Sequence, residues 1–333
     1  MTPDGFGICS IGCGRLANSM HGPALALYRR QHPAVRMAAC CDTDAGKAAR
    51  FKESFGYGAW YTSVDEMLDA ERPDAVTLVV PPAATAALAV TVIDKGYPVL
   101  MEKPPGLTCE ETRSIIAAAE RTGVATRVAF NRRYMPVSVR LTEILAQEPR
   151  PVLEHIHYDF YRVGRTDEDF STTAIHAVDM TRFLAGAEYE SVRFTRTRRS
   201  RPSVDDIFLD CTFVSGLRAR ISICPAAGVE MERLAVNARD ITILADLPGW
   251  EPGDPPGGIA QYCKGVLALA LTERDLGSGG EPFERLGFHA ENAGFFDDLQ
   301  AGRRPAGGVE ETLQTVAIAA ALRAGAVTWE AAR

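Results

Sequence analysis

The sequence predicts an α/β protein in two parts: a doubly wound parallel sheet over residues 1–129, then residues 130–333 forming an α/β domain with an open, mainly antiparallel sheet. Three observations carry this. Strand-like and helix-like segments alternate through the first part, as in a parallel sheet covered on both faces. A tight glycine turn joins the first strand to the first helix. After residue 150 the hydrophobic pattern drops from helical spacing to a period of two. A length of 333 residues is comfortable for two domains, each able to bury a core.

Taken in order, FGICSI opens a strand over 6–12 and leads through Gly12-Cys13-Gly14-Arg15-Leu16-Ala17 into LANSMHGPALALYRR, which has helical spacing. Further strands are expected at 35–42, 75–80, 97–101 and 124–130, with helices over 44–55, 83–95 and 108–122 between them. In the second part, GLRARISIC puts Leu217, Ala219, Ile221 and Ile223 on one face and Arg218, Arg220, Ser222 and Cys224 on the other. The two-residue link Ser215-Gly216 joins it to IFLDCTFV as a hairpin. GDPPGG at 253–258 and GSGGEP at 277–282 are turn-forming breaks that bracket a looser segment. Segments 287–301 and 309–324 return to helical spacing, and these C-terminal helices are expected to pack back towards the first domain.

Ligands of such sheets collect beyond the carboxyl ends of the strands. Gly12 permits the turn there, Gly14 lets the backbone approach a pyrophosphate, and Ala17 is small enough for close helix–strand packing. The helix N-terminus offers unpaired N–H groups and the positive end of its dipole to the phosphates. The second strand, VRMAACCD, ends in Asp42, which can accept both ribose hydroxyls of an adenosine and would repel a 2′-phosphate, so NAD is expected rather than NADP. The residues expected to line the cofactor are Gly12, Gly14, Arg15, Leu16, Asp42, Val80, Pro81, Glu102 and Lys103.

Composition narrows the class. Hydrophobic residues make up 46% and charged residues 24%, and the formal charge of −7 gives no general attraction for nucleic acid or an anionic membrane. No apolar stretch reaches the roughly 18 residues that cross a bilayer. The chain begins directly with a strand, without a basic and hydrophobic leader, so a reducing cytoplasm is expected. The eight cysteines are then expected as free thiols, buried where they lie in strands, and the absence of a C-x-x-C pair leaves no metal site to expect.

Glu102-Lys103-Pro104-Pro105 closes the strand YPVLM, which places Lys103 beyond the same strand ends as the glycine turn. An ammonium there can stabilise charge on a substrate oxygen, or it is a surface lysine beside a turn; Pro104 would fix the loop, with a cis bond as one way to do so. Asn131-Arg132-Arg133-Tyr134 follows the last strand of the first part, and Arg132 is the nearer candidate for touching substrate or cofactor. Arg162 and Arg165 are candidates for an anionic group such as a sugar carboxylate or phosphate. The run RFTRTRRSRP at 193–202 reads as a solvated strand end and loop in an acidic chain, with an acidic substrate or partner as the alternative.

The set IGCGRLA, CDTD, VVPP, MEKPP, VAFNRRYMPV, the helix with His176 and Asp179, and GFHAENAGFFDDLQAGRRP, in this order over nearly the whole chain, resembles the glucose-fructose oxidoreductase, inositol dehydrogenase and MocA family. The resemblance implies a Rossmann domain followed by a domain whose sheet forms subunit contacts in a homodimer or homotetramer. It also implies NAD(P)-dependent oxidation or reduction of a sugar, cyclitol or related hydroxy compound. Lys103 corresponds to the family's active-site lysine and His176 to its general acid/base. Chemically, a hydroxyl losing hydride needs a proton acceptor with a pKa near neutrality, which a histidine supplies. Asp179 shares the helix face of His176 at i+3, where it can orient the ring or pair elsewhere.

One departure stands out: the family reads D-x-G-x-H where this chain has Thr172-Thr173-Ala174-Ile175-His176. Thr172 can hydrogen-bond a substrate hydroxyl but cannot move a proton as a carboxylate does, and Asp169 is the nearest acid that could compensate. Thr85 also replaces a frequent family histidine. Two other activities stay open on the same fold: an enzyme that retains NAD for transient oxidation during glycosidic cleavage or epimerisation, and a dinucleotide-binding regulator without turnover.

Overall fold

The computed structural model describes residues 5–147, 152–167, 169–197, 205–251, 253–277 and 280–332. Arg198, Arg199 and Arg201 of the arginine-rich run lie outside the described residues. The chain divides into two compact units: residues 1–129 with 287–316, and residues 130–286 with 317–333. The boundary at 129/130 is thus interrupted by a return of the chain, with 287–316 clustering in the first unit.

The first unit carries a six-stranded, wholly parallel sheet in the order β3-β2-β1-β4-β5-β6. The strands are β1 (Phe6–Ile11), β2 (Val35–Cys41), β3 (Ala59–Tyr61), β4 (Ala75–Leu78), β5 (Val99–Glu102) and β6 (Thr126–Ala129). Strand order reverses at β1/β4, and the crevice at that switch point is where such sheets bind ligands. The helices are α1 (Gly22–Gln31), α2 (Ala45–Phe55), α3 (Val64–Glu71), α4 (Pro82–Asp94) and α5 (Cys109–Thr122). Local chemistry fixes their ends. Asp44 accepts from Lys47 N–H at the start of α2, Thr108 and Glu111 form a capping box on α5, and Gly56 and Gly123 close α2 and α5 in the left-handed region.

The helix after the glycine turn differs from a plain α-helix: Ala17–His21 form a π turn that runs into α1. α9 (Phe288–Gln300) completes this unit. Its Phe295 and Phe296 join Phe6, Leu25 and Tyr28 in one core. Arg127 of β6, almost fully buried, donates to the carbonyls of Ala306 and Glu291 at 2.9 Å each and to Asp298 at 3.3 Å.

In the second unit, α6 (Pro136–Leu145) and α7 (Ser171–Ala185) accompany a nine-stranded sheet in the order β14-β13-β12-β11-β7-β10-β9-β8-β15. The pair β7 (Leu153–Tyr161) and β10 (Arg218–Cys224) is parallel and the other pairs are antiparallel. The remaining strands are β8 (Tyr189–Thr197), β9 (Asp206–Phe213), β11 (Met231–Ala238), β12 (Ile241–Leu247), β13 (Gly258–Cys263), β14 (Val266–Thr272) and β15 (Thr328–Glu330). The Ser215-Gly216 link does join β9 to β10 as a hairpin, with Gly216 at φ 86°. The segment expected to be loose is instead the regular hairpin β13–β14, turned by Lys264 and Gly265, both at positive φ. The alternation in VLALALT is the strand signal there; alanine dilutes it.

Candidate active site

The glycine turn leaves β1 at Gly12, which has φ 92° and N–H bonded to the Cys41 carbonyl at 2.8 Å. A Cβ at Gly12 would lie 2.0 Å from the Val79 carbonyl oxygen and 3.1 Å from the Val80 side chain, so only glycine fits. A Cβ at Gly14 would meet nothing within 4 Å. That open backbone is what close approach by a pyrophosphate requires, so the turn fits a dinucleotide.

Asp42 follows β2, half-buried, and its carboxylate accepts from Cys13 N–H and Asp44 N–H, each at 2.9 Å. It therefore braces the turn from the position where it would meet a ribose, with lone pairs left on both oxygens. Arg15 is exposed and Leu16 half-buried; Cys13, Gly14, Arg15 and Asn18 share a surface pocket with Lys47, Arg50 and Ser54 of α2. Val80 and Pro81 leave β4 beside the turn, Val80 half-buried against Gly12 and Pro81 exposed.

Lys103, half-buried, follows the end of β5, and its bond to Pro104 is cis. Glu102 points inward, unlike the cofactor-lining role expected of it. It is 5% exposed, takes a hydrogen bond from His21 Nε2 to Oε1 at 2.9 Å, and its Oε2 accepts Lys103 N–H at 3.1 Å. His21 was not singled out by the sequence; a histidine in a helix carries no mark of a partner 81 residues away.

The second unit assembles a buried charged cluster that the sequence did not reveal. Glu232 of β11 accepts from Arg132 through Nη2 to Oε1 at 2.8 Å and Nε to Oε2 at 3.4 Å, and also from Arg162 Nη2 and the Tyr158 hydroxyl. Burial pushes its carboxyl up, but the guanidiniums of Arg132 and Arg162 outweigh burial and hold it down at about 2. Burial raises the neighbouring Glu230 carboxyl, which lies 3.6 Å from Arg162 Nε.

Arg132, in the 3-10 turn Asn131–Tyr134, also donates from Nη1 to His176 Nε2 at 3.1 Å. Because an arginine only donates, this Nε2 is an acceptor and the ring proton resides on Nδ1. Phe130 lies edge-on to the same ring.

Several expected contacts take other forms. Arg162, 3% exposed, spends its guanidinium on Glu232, Glu230, the Tyr161 carbonyl and the Phe160 ring rather than presenting it to an anionic substrate. Asp179 is gripped by Arg133 at 2.8 and 2.5 Å, the pairing elsewhere that the sequence left open. Asp169 caps the start of α7 by accepting Ser171 N–H and pairs with Arg323, which removes it as a stand-in for the missing family aspartate. Thr172 Oγ1 has a 3.4 Å contact to the Asp169 carbonyl. Among the described residues no three His, Cys, Asp or Glu side chains converge as metal ligands.

A six-stranded parallel sheet with a switch-point glycine turn, an acid after β2 and a lysine after β5 defines a dinucleotide-binding Rossmann unit of the oxidoreductase class. Residues 6–130 match the model of the glucose-fructose oxidoreductase, inositol dehydrogenase and MocA proteins, described as "Oxidoreductase family, NAD-binding Rossmann fold". It is 29% identical to Oxidoreductase P35 of Formosa agariphila over 135 residues, 40% of this chain and 41% of that relative. It is 25% identical to inositol 2-dehydrogenase of Salmonella typhimurium over 193 residues, 56% of this chain and 54% of that one. The chain thus spans about half the length of the curated relatives it matches. The fold extends further: a dehydrogenase structure from Chromobacterium violaceum superposes with TM-score 0.83 at 22% identity, covering 96% of this chain and 95% of that one.

Proposed function

We propose that this protein is an NAD-dependent oxidoreductase that transfers hydride between the nicotinamide and a carbinol carbon of a sugar, cyclitol or related hydroxy compound. The observation that carries this is the glycine turn: Gly12 admits no side chain, Gly14 is open, and Asp42, bonded to the turn through Cys13 N–H, is the acid that would meet the ribose. The bound dinucleotide would supply the hydride acceptor; the chain supplies binding and proton handling. Lys103 is the residue assigned to the substrate oxygen, where its ammonium favours the more negative form. His176 is assigned to take the hydroxyl proton as hydride leaves. The family match and likeness to an inositol dehydrogenase support a polyol-like substrate.

NAD is preferred because the Asp42 carboxylate opposes a 2′-phosphate, whereas Arg15, Lys47 and Arg50 nearby make NADP the necessary comparison. Calorimetric titration with both dinucleotides, paired with an absorbance screen over polyols, inositols and sugar acids, tests the proposal. NAD binding with turnover that collapses in Lys103→Ala and His176→Ala supports it, and failure to bind either dinucleotide refutes it. One observation favours a second reading: His176 Nε2 already accepts from Arg132, so taking a proton there means giving up that bond. A dinucleotide-binding sensor needs no such exchange, and tight NAD binding without any turnover would select it.

We also infer a homo-oligomer in a reducing, cytoplasmic compartment. Support comes from the edge strand β14, which exposes Val266 and Leu267, and from eight free thiols. Sedimentation of the purified protein tests the assembly.

A further inference from the structure

The π turn at Ala17–His21 begins within the segment that would receive the pyrophosphate and ends on a histidine only 1% exposed. His21 has one partner on each ring nitrogen. Asn292 Nδ2 of α9 lies 3.4 Å from Nδ1, and Glu102 Oε1 lies 2.9 Å from Nε2. The amide donor on Nδ1 and the carboxylate acceptor on Nε2 agree on a single tautomer, with the proton on Nε2. Phe288 closes the ring edge-on at 5.2 Å. The second oxygen of Glu102 accepts the backbone N–H of Lys103. A continuous chain of polar contacts therefore runs from α9 through the π turn to the peptide of the lysine itself. π turns are rare and occur frequently at functional sites.

We propose that His21 and Glu102 form a buried strut that fixes the Lys103 loop to the dinucleotide-binding segment, making both positioning residues for Lys103. This rests on the assignment of Lys103 to the reaction given above. With the strut in place the ammonium is delivered from a backbone held at both ends. Without it, Glu102 loses a donor, its grip on the Lys103 N–H loosens, and the loop after β5 samples other conformations.

Amide hydrogen exchange read by mass spectrometry on the full chain tests the strut apart from catalysis. In His21→Ala, exchange over residues 101–108 is expected to quicken at least about tenfold, the equivalent of one lost hydrogen bond, while β4 is unchanged. Turnover is expected to fall about a hundredfold in kcat, with the substrate KM within about threefold, as misplacement of a catalytic group does. His21→Gln, which still offers an N–H towards Glu102, should recover most of both. Should His21→Ala fail to fold, Glu102→Gln asks the same question, because His21 and Lys103 N–H bond to different oxygens of Glu102 and the amide replaces one of them with a donor. Quickened exchange at 101–108 in either folded variant supports the strut. Unchanged exchange overturns it, whatever the activity. Full turnover in Lys103→Ala would overturn the catalytic assignment alone and leave the exchange result to decide the strut.

Discussion

Two glycines of one turn make different demands. At Gly12 a side chain collides with the Val79 carbonyl at φ 92°, whereas at Gly14 it enters open space. Gly12→Ala is expected to cost about 1–3 kcal/mol of stability as well as dinucleotide binding. Gly14→Ala should change stability by less than about 0.5 kcal/mol and still weaken NAD, because its methyl occupies the phosphate's approach. Thermal melts beside calorimetric titration separate the two. Glu232 obeys a different rule. Its carboxyl is held at about 2 against an ordinary 4.5, so the folded state favours the charged form. The stability this adds, about 3 kcal/mol, is present above pH 4.5 and is lost as pH falls towards 2. Urea titrations of the wild type at pH 6 and pH 3 should show the loss. In Glu232→Gln, Arg132 and Arg162 stay buried around an uncharged amide, which is expected to cost about 3–5 kcal/mol at pH 6 and to remove this group's share of the acid dependence.

At the scale of elements, ends are written in short sequences and interiors in periodicity. Thr108 and Glu111 are three residues apart, and each satisfies a backbone N–H of the α5 start. Thr108→Ala is expected to lower stability by about 1 kcal/mol in chemical denaturation, without touching cofactor affinity. β1, β2, α2, α4 and α5 were legible for the same reason, since apolar runs and helical spacing lie within one window. The π turn was not legible, because nothing in the composition of Ala-Asn-Ser-Met-His sets it apart from an α-helix and the partner of His21 lies 81 residues away. β13 was missed because Gly-Ile-Ala-Gln-Tyr-Cys carries little apolar alternation, and β14 because alanines at alternate positions weaken the period of two. An edge position also removes the pressure for strong apolar patterning.

For the whole molecule, the first unit is closed by chain that returns after the second. Phe295 and Phe296 fill its core, and Arg127 places its guanidinium against the Glu291 and Ala306 carbonyls and Asp298. A chain ending at residue 286 therefore leaves a cavity lined by Phe6, Leu25 and Tyr28 and a stranded buried cation. It is expected to lose cooperative unfolding, seen as flattened near-ultraviolet dichroism melts and dye binding to exposed apolar surface. The sequence by itself determined the alternation of β1, β2, β4, β5 and β6 with α2, α4 and α5, though not β3 or α3, together with the glycine turn, Asp42 and the place of Lys103 beyond a strand end. Those features depend on neighbours a few residues apart, on steric permission and on periodicity. Only the tertiary structure decided what the buried charges do. Glu102 turns to His21, Glu232 gathers Arg132, Arg162 and Tyr158, Asp179 goes to Arg133, and His176 receives Arg132. A buried charge must find its counterpart wherever folding brings one, and partners 44 to 100 residues apart leave no trace in local spacing.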